Sequence, residues 1–371
     1  MRTKYMIVSG FLGSGKTTSM IALSREFNAL GMQSAIIAND LGAKNLVDAD
    51  YTRTKDLEIA EIRGDCICYV TEDLVDHIER LAKGGAQLVM SDIPGSGIGA
   101  LDHVYIKLKE EYPDQYTLLP FLCLADPERM RLVLPESEDI HLPEEMRFLL
   151  NAQLAEADVI ALNKVDLLSD EERKKFVDFI KKAYPDAELF EISAKTGEGI
   201  HELAQYLMTH ESLAEHKEIG YGSKEFDSAE ELMCWYNRRV FLSERDGKNI
   251  DFNEFVDFLI EEIRNGLIEA KRNVPHLKLF AAGEGEDYLK SSLIGIDYDI
   301  EHDKVLQQEY YSLALIINAR AVCESDTMAE IIEDALDEAC TQFNVKAKTI
   351  FLECFGFFDE GRRNGGRSSR Y

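Results

Sequence analysis

The run Gly10-Phe11-Leu12-Gly13-Ser14-Gly15-Lys16-Thr17 constrains this chain more than any other feature. Before it, Tyr5-Met6-Ile7-Val8 reads as a short buried strand. After it, Met20, Leu23, Phe27 and Leu30 recur at helical spacing until Gly31. Strand, glycine loop and helix in that order are the context of a phosphate-binding loop. The glycines let backbone N–H groups turn inward around β- and γ-phosphates, and the helix N-terminus adds positive potential. Lys16 is placed to put a point charge on the β/γ oxygens, and Thr17 to reach Mg²⁺. Gly10, Gly13, Ser14, Gly15 and Thr18 complete the expected cradle. The alternative, a glycine-rich turn with a lysine by chance, does not account for the flanking strand and helix.

Three further motifs follow in order. Ala86-Gln87-Leu88-Val89-Met90 leads into Ser91-Asp92-Ile93-Pro94-Gly95, in which Asp92 is expected to hold Mg²⁺ and the Gly95 N–H to sense a γ-phosphate. Asp158-Val159-Ile160-Ala161-Leu162 leads into Asn163-Lys164-Val165-Asp166. The Asp166 carboxylate can accept both N1–H and the 2-amino group of guanine, and adenine offers neither there. A buried bidentate bond of that kind rejects adenine strongly, because the carboxylate would be left unpaired. Last comes Ser193-Ala194-Lys195, whose backbone can meet guanine O6. The four together point to GTP and GDP with Mg²⁺, not ATP.

At 371 residues the chain can bury a large core and suggests two domains. No run of roughly 18 apolar residues suggests a membrane span, and the start of the sequence lacks signal-peptide architecture. Seven cysteines at irregular spacing suit a reducing, cytoplasmic setting. A formal charge of −28 argues against a nucleic-acid partner and for a surface that attracts cations or basic partners.

Strands and helices alternate up to about residue 215, as a mostly parallel α/β sheet requires. The polar segment Glu211 to Phe226 is the expected domain boundary. Pro127 to Glu144 carries three prolines and many charges and reads as a mobile loop. Residues 226–358 suggest an α+β domain, loosely ferredoxin-like. Its strands are expected at Cys234–Leu242, Leu277–Ala282, Ser292–Tyr298, Tyr311–Ala319 and Thr349–Cys354. A helix opening at Asp251-Phe252-Asn253-Glu254 and another over Asp326–Phe343 complete it. It carries no catalytic motif, and its expected role is partner or dimer binding. Residues 359–371, with Arg362, Arg363, Arg367 and Arg370 among Gly, Ser and Asn, read as a disordered basic tail.

These residues resemble the CobW-like metallochaperone GTPases, relatives of HypB and UreG. The phosphate loop through Thr18 is similar to that family's opening. Asn39-Asp40-Leu41-Gly42 is similar to its Asn-Glu-aromatic-Gly motif. Asp65-Cys66-Ile67-Cys68-Tyr69 is similar to its Gly-Cys-Ile-Cys-Cys motif, and Asp92-Ile93-Pro94-Gly95 to its Glu-x-x-Gly. The resemblance covers about residues 1–210. It implies GTP-gated delivery of a metal or cofactor to a client metalloenzyme or corrinoid enzyme. Neither the family's usual C-terminal domain nor a histidine-rich tail is recognisable.

In an extended segment Cys66 and Cys68 would point to the same side and could grip Zn²⁺ or another soft divalent cation. Tyr69 stands where the family has its last cysteine, so Asp65, Asp40, water or a second subunit would have to complete the shell. Two half-buried thiols packed as small hydrophobes are the other reading of this pair. The remaining cysteines sit among apolar residues, and the eight histidines form no ligand pair. For hydrolysis, Lys16 and Mg²⁺ supply part of the charge stabilisation. Ser96 follows Gly95 where Ras-type enzymes carry a water-orienting glutamine. Asp40 is therefore the acidic residue expected to polarise the water, with a turn aspartate as the alternative, and no arginine stands out as a finger. Slow intrinsic turnover is expected. A second functional class stays open, a GTP-regulated interaction protein that assembles or reactivates a partner, through its C-terminal domain, without carrying metal.

Overall fold

The computed structural model describes residues 2–41, 47, 57–134 and 144–356. The chain divides into two compact units, one of residues 1–43 and 55–227, the other of 44–54 and 228–371.

The first unit is built on a parallel sheet. Its strands are β1 (Thr3–Gly10), β2 (Ser34–Asp40), β3 (Ile59–Arg63), β4 (Leu88–Asp92), β5 (Tyr116–Leu118), β6 (Leu122–Ala125), β7 (Val159–Leu162) and β8 (Glu188–Glu191). They lie in the order β3-β2-β4-β1-β6-β7-β8, with β5 also paired to β1. Helices cover both faces, which is why Tyr5-Met6-Ile7-Val8 of β1 is wholly buried and reads as one apolar run. Because the strands are parallel, the residues that end β1, β2 and β4 and those that follow β6, β7 and β8 gather at one edge. The chain order reverses about β1, and the crevice at such a reversal is where open α/β sheets bind ligands.

One irregularity in β1 bears on the site. β1 pairs with β5 over Thr3–Tyr5 and with β6 over Val8–Gly10. Between the two, the Ile7 N–H donates to Tyr105 Oη at 3.0 Å. Tyr105 belongs to a π-helical stretch, Leu101–Ile106, so the segment after Asp92 is fastened to the central strand.

The second unit is an antiparallel sheet under two helices. Its elements are β9 (Met233–Glu244), β10 (Asn273–Ala282), β11 (Tyr288–Leu293), β12 (Glu301–Lys304), β13 (Ser312–Val322) and β14 (Val345–Gly356). Two long helices, Phe252–Glu269 and Ser325–Gln342, connect them. The strand order is β12-β11-β10-β13-β9-β14. Its central part, β10-β13-β9-β14 with the two helices, is the ferredoxin-like arrangement, extended at one edge by β11 and β12. Tyr236, Val240, Leu315 and Ile317 alternate onto the helix side and pack with Phe255, Leu259, Ile263, Ile332 and Leu336. Asp251 caps the first helix, accepting the Asn253 N–H at 2.8 Å. Within this unit the Val47 N–H donates to Asn318 Oδ1 at 2.7 Å.

Several sequence expectations need correction. Pro127 to Glu144 is not a loop throughout. Pro127–Val133 is a helix, with Pro at its start and Asp126 accepting the Glu128 N–H at 3.1 Å. Residues 135–143 lie outside the described residues, as does the tail 359–371. The strand expected over Ser292–Tyr298 is displaced, because β11 ends at Leu293. β12 was not anticipated, since Glu301-His302-Asp303-Lys304 has no apolar residue to alternate and it is an exposed edge strand. The segment after Glu211 is held on the first unit. Ser212 N–H donates to Leu118 O at 2.9 Å and Lys217 Nζ to Ala157 O at 2.7 Å.

Candidate functional site

The loop between β1 and helix α1 (Lys16–Ala29) has the backbone its glycines foreshadow. Gly10, Gly13 and Gly15 take φ of 134°, 81° and 93°. At Gly15 this left-handed conformation is joined to close packing, for a Cβ there would lie 2.5 Å from Asn163 Nδ2. Lys16 Nζ donates to Gly10 O at 2.7 Å and to Phe11 O at 3.3 Å. Ser14 Oγ is buried with no hydrogen-bond partner among the described residues. A lysine turned onto the loop and an orphaned hydroxyl at the start of a helix form a donor set that fits phosphate.

Asn163 joins the base side to this loop. Its Nδ2 donates to Ser14 O at 2.9 Å and its Oδ1 accepts the Ala194 N–H at 3.0 Å. Phosphate loop, Asn163 and the Ser193-Ala194-Lys195 turn are thus tied through one side chain. Lys164 takes φ 62°, and the following short turn Val165–Leu167 leaves Asp166 exposed at the carboxyl edge of the sheet. Ser193 is buried, its Oγ accepting the Thr196 N–H at 3.1 Å, and Lys195 is exposed.

Asp92 ends β4 and is buried, with Thr17 buried at the start of α1. Asp92 Oδ1 accepts the Asn39 N–H at 2.7 Å. The Asn39 side chain turns the other way. Its Nδ2 donates to Asp65 O at 2.7 Å, and its Oδ1 accepts the Ile67 N–H at 3.1 Å. One residue therefore touches both the expected Mg²⁺ carboxylate and the cysteine segment. Asp40, expected in the loop after β2, is instead the last residue of that strand.

Cys66 and Cys68 do lie together, but not in an extended segment. The Tyr69 N–H donates to Cys66 O at 2.9 Å, closing a turn that folds both sulfurs to one side, 3.0 Å apart and buried. Hydrogen bonding to Cys66 and then burial push the Cys68 thiol well above its ordinary pKa, so an incoming metal must displace its proton. Asp65 Oδ1 accepts the Cys66 N–H at 2.9 Å, and Tyr69 Oη pairs with Tyr221 Oη at 2.8 Å. Among the described residues no group of three His, Cys, Asp or Glu is placed to hold a metal ion.

Two features were missed at the sequence level. Arg129, on the helix read as loop, is buried beside Gly13 and bonds Asp126 Oδ1 at 3.3 Å, so a cation does stand against the phosphate loop. Gln153 and Glu156, on the helix Glu144–Glu156, hold the segment after Gly95. Gln153 Nε2 donates to Gly95 O at 2.9 Å and Gly97 O at 3.0 Å. Glu156 accepts the N–H of Gly99 at 3.1 Å and of Leu101 at 2.6 Å. Burial raises the Glu156 carboxyl to about 7, against the lowering effect of those two N–H groups.

Residues 4–191 match the family model described as CobW/HypB/UreG, nucleotide-binding domain. The chain belongs to this family and carries its nucleotide-binding domain. It is 27% identical over 214 residues to "Zinc-regulated GTPase metalloprotein activator 1" of Dictyostelium discoideum, covering 49% of this chain and 44% of that one. It is 30% identical over 173 residues to "Zinc chaperone YeiR" of Escherichia coli (strain K12), covering 46% and 48%. The chain thus spans less than half the length of these curated relatives. Among solved structures, HypB from Helicobacter pylori in complex with nickel is similar at a TM-score of 0.41 and 17% identity, covering 58% of this chain and 91% of that one. YjiA GTPase from E. coli, Zn(II)-bound, is similar at 0.36 and 13%, covering 90% and 99%.

Proposed function

We propose that the chain binds and slowly hydrolyses GTP and uses that cycle to gate a soft divalent metal, the cargo, toward a client metalloenzyme. The observation that carries this reading is Asn39, whose backbone holds Asp92 while its side chain holds the Cys66-Ile67-Cys68 turn. A shift of either group is felt by the other through one residue.

Gly10, Gly13, Ser14, Gly15, Lys16, Thr17 and Thr18 cradle the phosphates in this reading, and Asn163, Asp166 and the Ser193-Ala194-Lys195 backbone select guanine. Thr17 and Asp92 are the residues that would hold Mg²⁺, which when bound neutralises charge on the phosphate oxygens. Lys16, turned from the loop carbonyls onto phosphate, adds a fixed positive charge. Asp40, at the end of β2, orients the attacking water. Cys66 and Cys68 are the cargo ligands, and their shell is completed by a second copy of the chain or by the client. That the relatives are named a zinc-regulated activator and a zinc chaperone supports zinc as the cargo. The second unit binds the partner. The −28 charge supports a protein rather than a nucleic-acid partner, and seven irregularly spaced cysteines support action in the cytoplasm.

One observation favours the second reading, a GTP-regulated assembly factor without cargo. Among the described residues no third His, Cys, Asp or Glu joins Cys66 and Cys68 in a metal-holding group at the turn. Zinc titration of the reduced protein decides between them. Binding lost in the Cys66→Ser/Cys68→Ser double variant supports cargo, and equal zinc uptake by both proteins leaves the assembly factor.

A further inference from the structure

Gly10, Gly13 and Gly15 of the phosphate loop each have a polar group where a side chain would stand, and the three occupants differ in origin. At Gly10 a Cβ would lie 2.6 Å from Leu124 O and 2.7 Å from Ser14 Oγ. At Gly15 the occupant is Asn163, which follows β7 and donates from Nδ2 to Ser14 O at 2.9 Å. At Gly13 a Cβ would overlap Arg129 Nη2 and lie 3.0 Å from Arg129 Cζ, so the guanidinium rests on the loop backbone. Asn163 belongs to a motif that the sequence discloses. Arg129 belongs to none.

Arg129 comes from the helix Pro127–Val133, which starts two residues after β6 at the carboxyl edge of the sheet. Asp126 sets its reach. The Asp126 Oδ1 caps that helix by accepting the Glu128 N–H at 3.1 Å, and it also accepts from Arg129 Nη1 at 3.3 Å. Nη1 is thereby turned to the carboxylate, and Nη2 is the nitrogen nearest Gly13. Both side chains are buried, Arg129 at 5% exposure and Asp126 at 0%. Phe11, Leu124, Met130, Leu150 and Leu154 line the cavity beside the guanidinium, and a charge with apolar walls is weakly screened. Packing alone would be served at lower cost by an apolar residue of similar volume, since burying an ion pair carries a desolvation penalty.

We propose that Arg129 is a positioning residue of the phosphate loop. Seated on Gly13 and oriented by Asp126, it holds the loop backbone, sets a fixed positive charge behind it, and so governs how tightly a guanosine polyphosphate is retained. The proposal rests on the reading of residues 10–18 as a nucleotide cradle. It needs no bond from Arg129 to phosphate, because the residue acts through Gly13 and through its charge. The pair Gly13 and Arg129 is then the phosphate-side counterpart of Gly15 and Asn163. Glycine is required at position 13 on two grounds, its φ of 81° and the guanidinium that any side chain would displace.

The test is the affinity for GDP with Mg²⁺, measured by calorimetry at low and at high salt on the full chain. The proteins compared are parent, Arg129→Lys, Arg129→Met and the double variant Asp126→Asn/Arg129→Met. Methionine keeps much of the apolar stem of arginine and removes its charge. The double variant leaves no buried carboxylate without its cation, and asparagine still caps the helix. Loss of a weakly screened charge beside the phosphates predicts GDP affinity about tenfold lower in the two neutral variants, with lysine restoring most of it. Affinity is also expected to fall less steeply with salt in the neutral variants than in the parent. A merely structural role would leave lysine as weak as methionine and the salt slopes alike. Thermal melting without nucleotide shows which variants are folded. A folded neutral variant with the parent's GDP affinity overturns the proposal, and so does equal weakening by lysine and methionine. If neither neutral variant folds, Arg129 serves the fold and the proposal is overturned as well. A parent that binds no guanine nucleotide overturns the nucleotide reading instead.

Discussion

At the scale of single residues the proposed base choice rests on Asp166, exposed at the sheet edge after the left-handed Lys164. Calorimetry is expected to give ATP an affinity at least ~100-fold below GTP, as a lost buried bidentate bond implies. Asp166→Asn is expected to move preference toward xanthine nucleotides. Equal ATP and GTP affinities in the parent would contradict the assignment. In the proposed function, catalysis divides between Lys16 and Asp40. Turnover of the isolated protein is expected well below ~1 s⁻¹. Lys16→Ala is expected to abolish it, and Asp40→Ala to lower turnover more than nucleotide affinity. An Asp40→Ala protein that hydrolyses GTP at the parent rate removes Asp40 from the chemistry.

At the scale of elements, the helix Glu144–Glu156 has an effect on stability that does not depend on nucleotide. Burial lifts the Glu156 carboxyl from 4.5 to about 7, with Asp102 adding to the rise and Lys217 opposing it. Between those two pH values the folded chain keeps a proton that the unfolded chain releases. This contribution to stability is complete below about 4.5 and is lost as pH rises through about 7, at roughly 1.4 kcal/mol per pH unit. Glu156→Gln does not titrate. In urea unfolding it is expected to gain on the parent from pH 5 to pH 8, and identical pH slopes would show that the carboxyl is not raised. The same helix marks what the sequence could not disclose. The phosphate loop was legible because its glycine spacing encodes the positive φ angles directly. Gln153 and Glu156 bond backbone atoms more than fifty residues away, and no local pattern encodes such partners. Their one signal was polar residues on the apolar side of a helix that buries Met146, Leu149, Leu150 and Leu154. Asn39 stood within a named motif, but its double hydrogen bonding joins three separated segments. β12 escaped because pairing to β11, not its own composition, makes it a strand.

At the scale of the whole molecule, two thiols at a turn are too few for a closed zinc shell. Metal affinity of the lone monomer is therefore expected to be weak, and to rise when a second copy or a client adds ligands. Analytical ultracentrifugation with and without zinc is expected to show a metal-dependent association that Cys66→Ser/Cys68→Ser removes. No helix among the described residues is long and apolar enough to cross a membrane. The two cysteines and the nucleotide site share Asn39, so a change at one biases the other if both belong to one conformational equilibrium. The most direct test of that link is zinc titration of the reduced protein loaded with GDP or with a non-hydrolysable GTP analogue, on parent and Asn39→Ala. The account predicts a zinc affinity that differs between the two nucleotides in the parent and converges in Asn39→Ala. Identical zinc affinity with both nucleotides in the parent would contradict it.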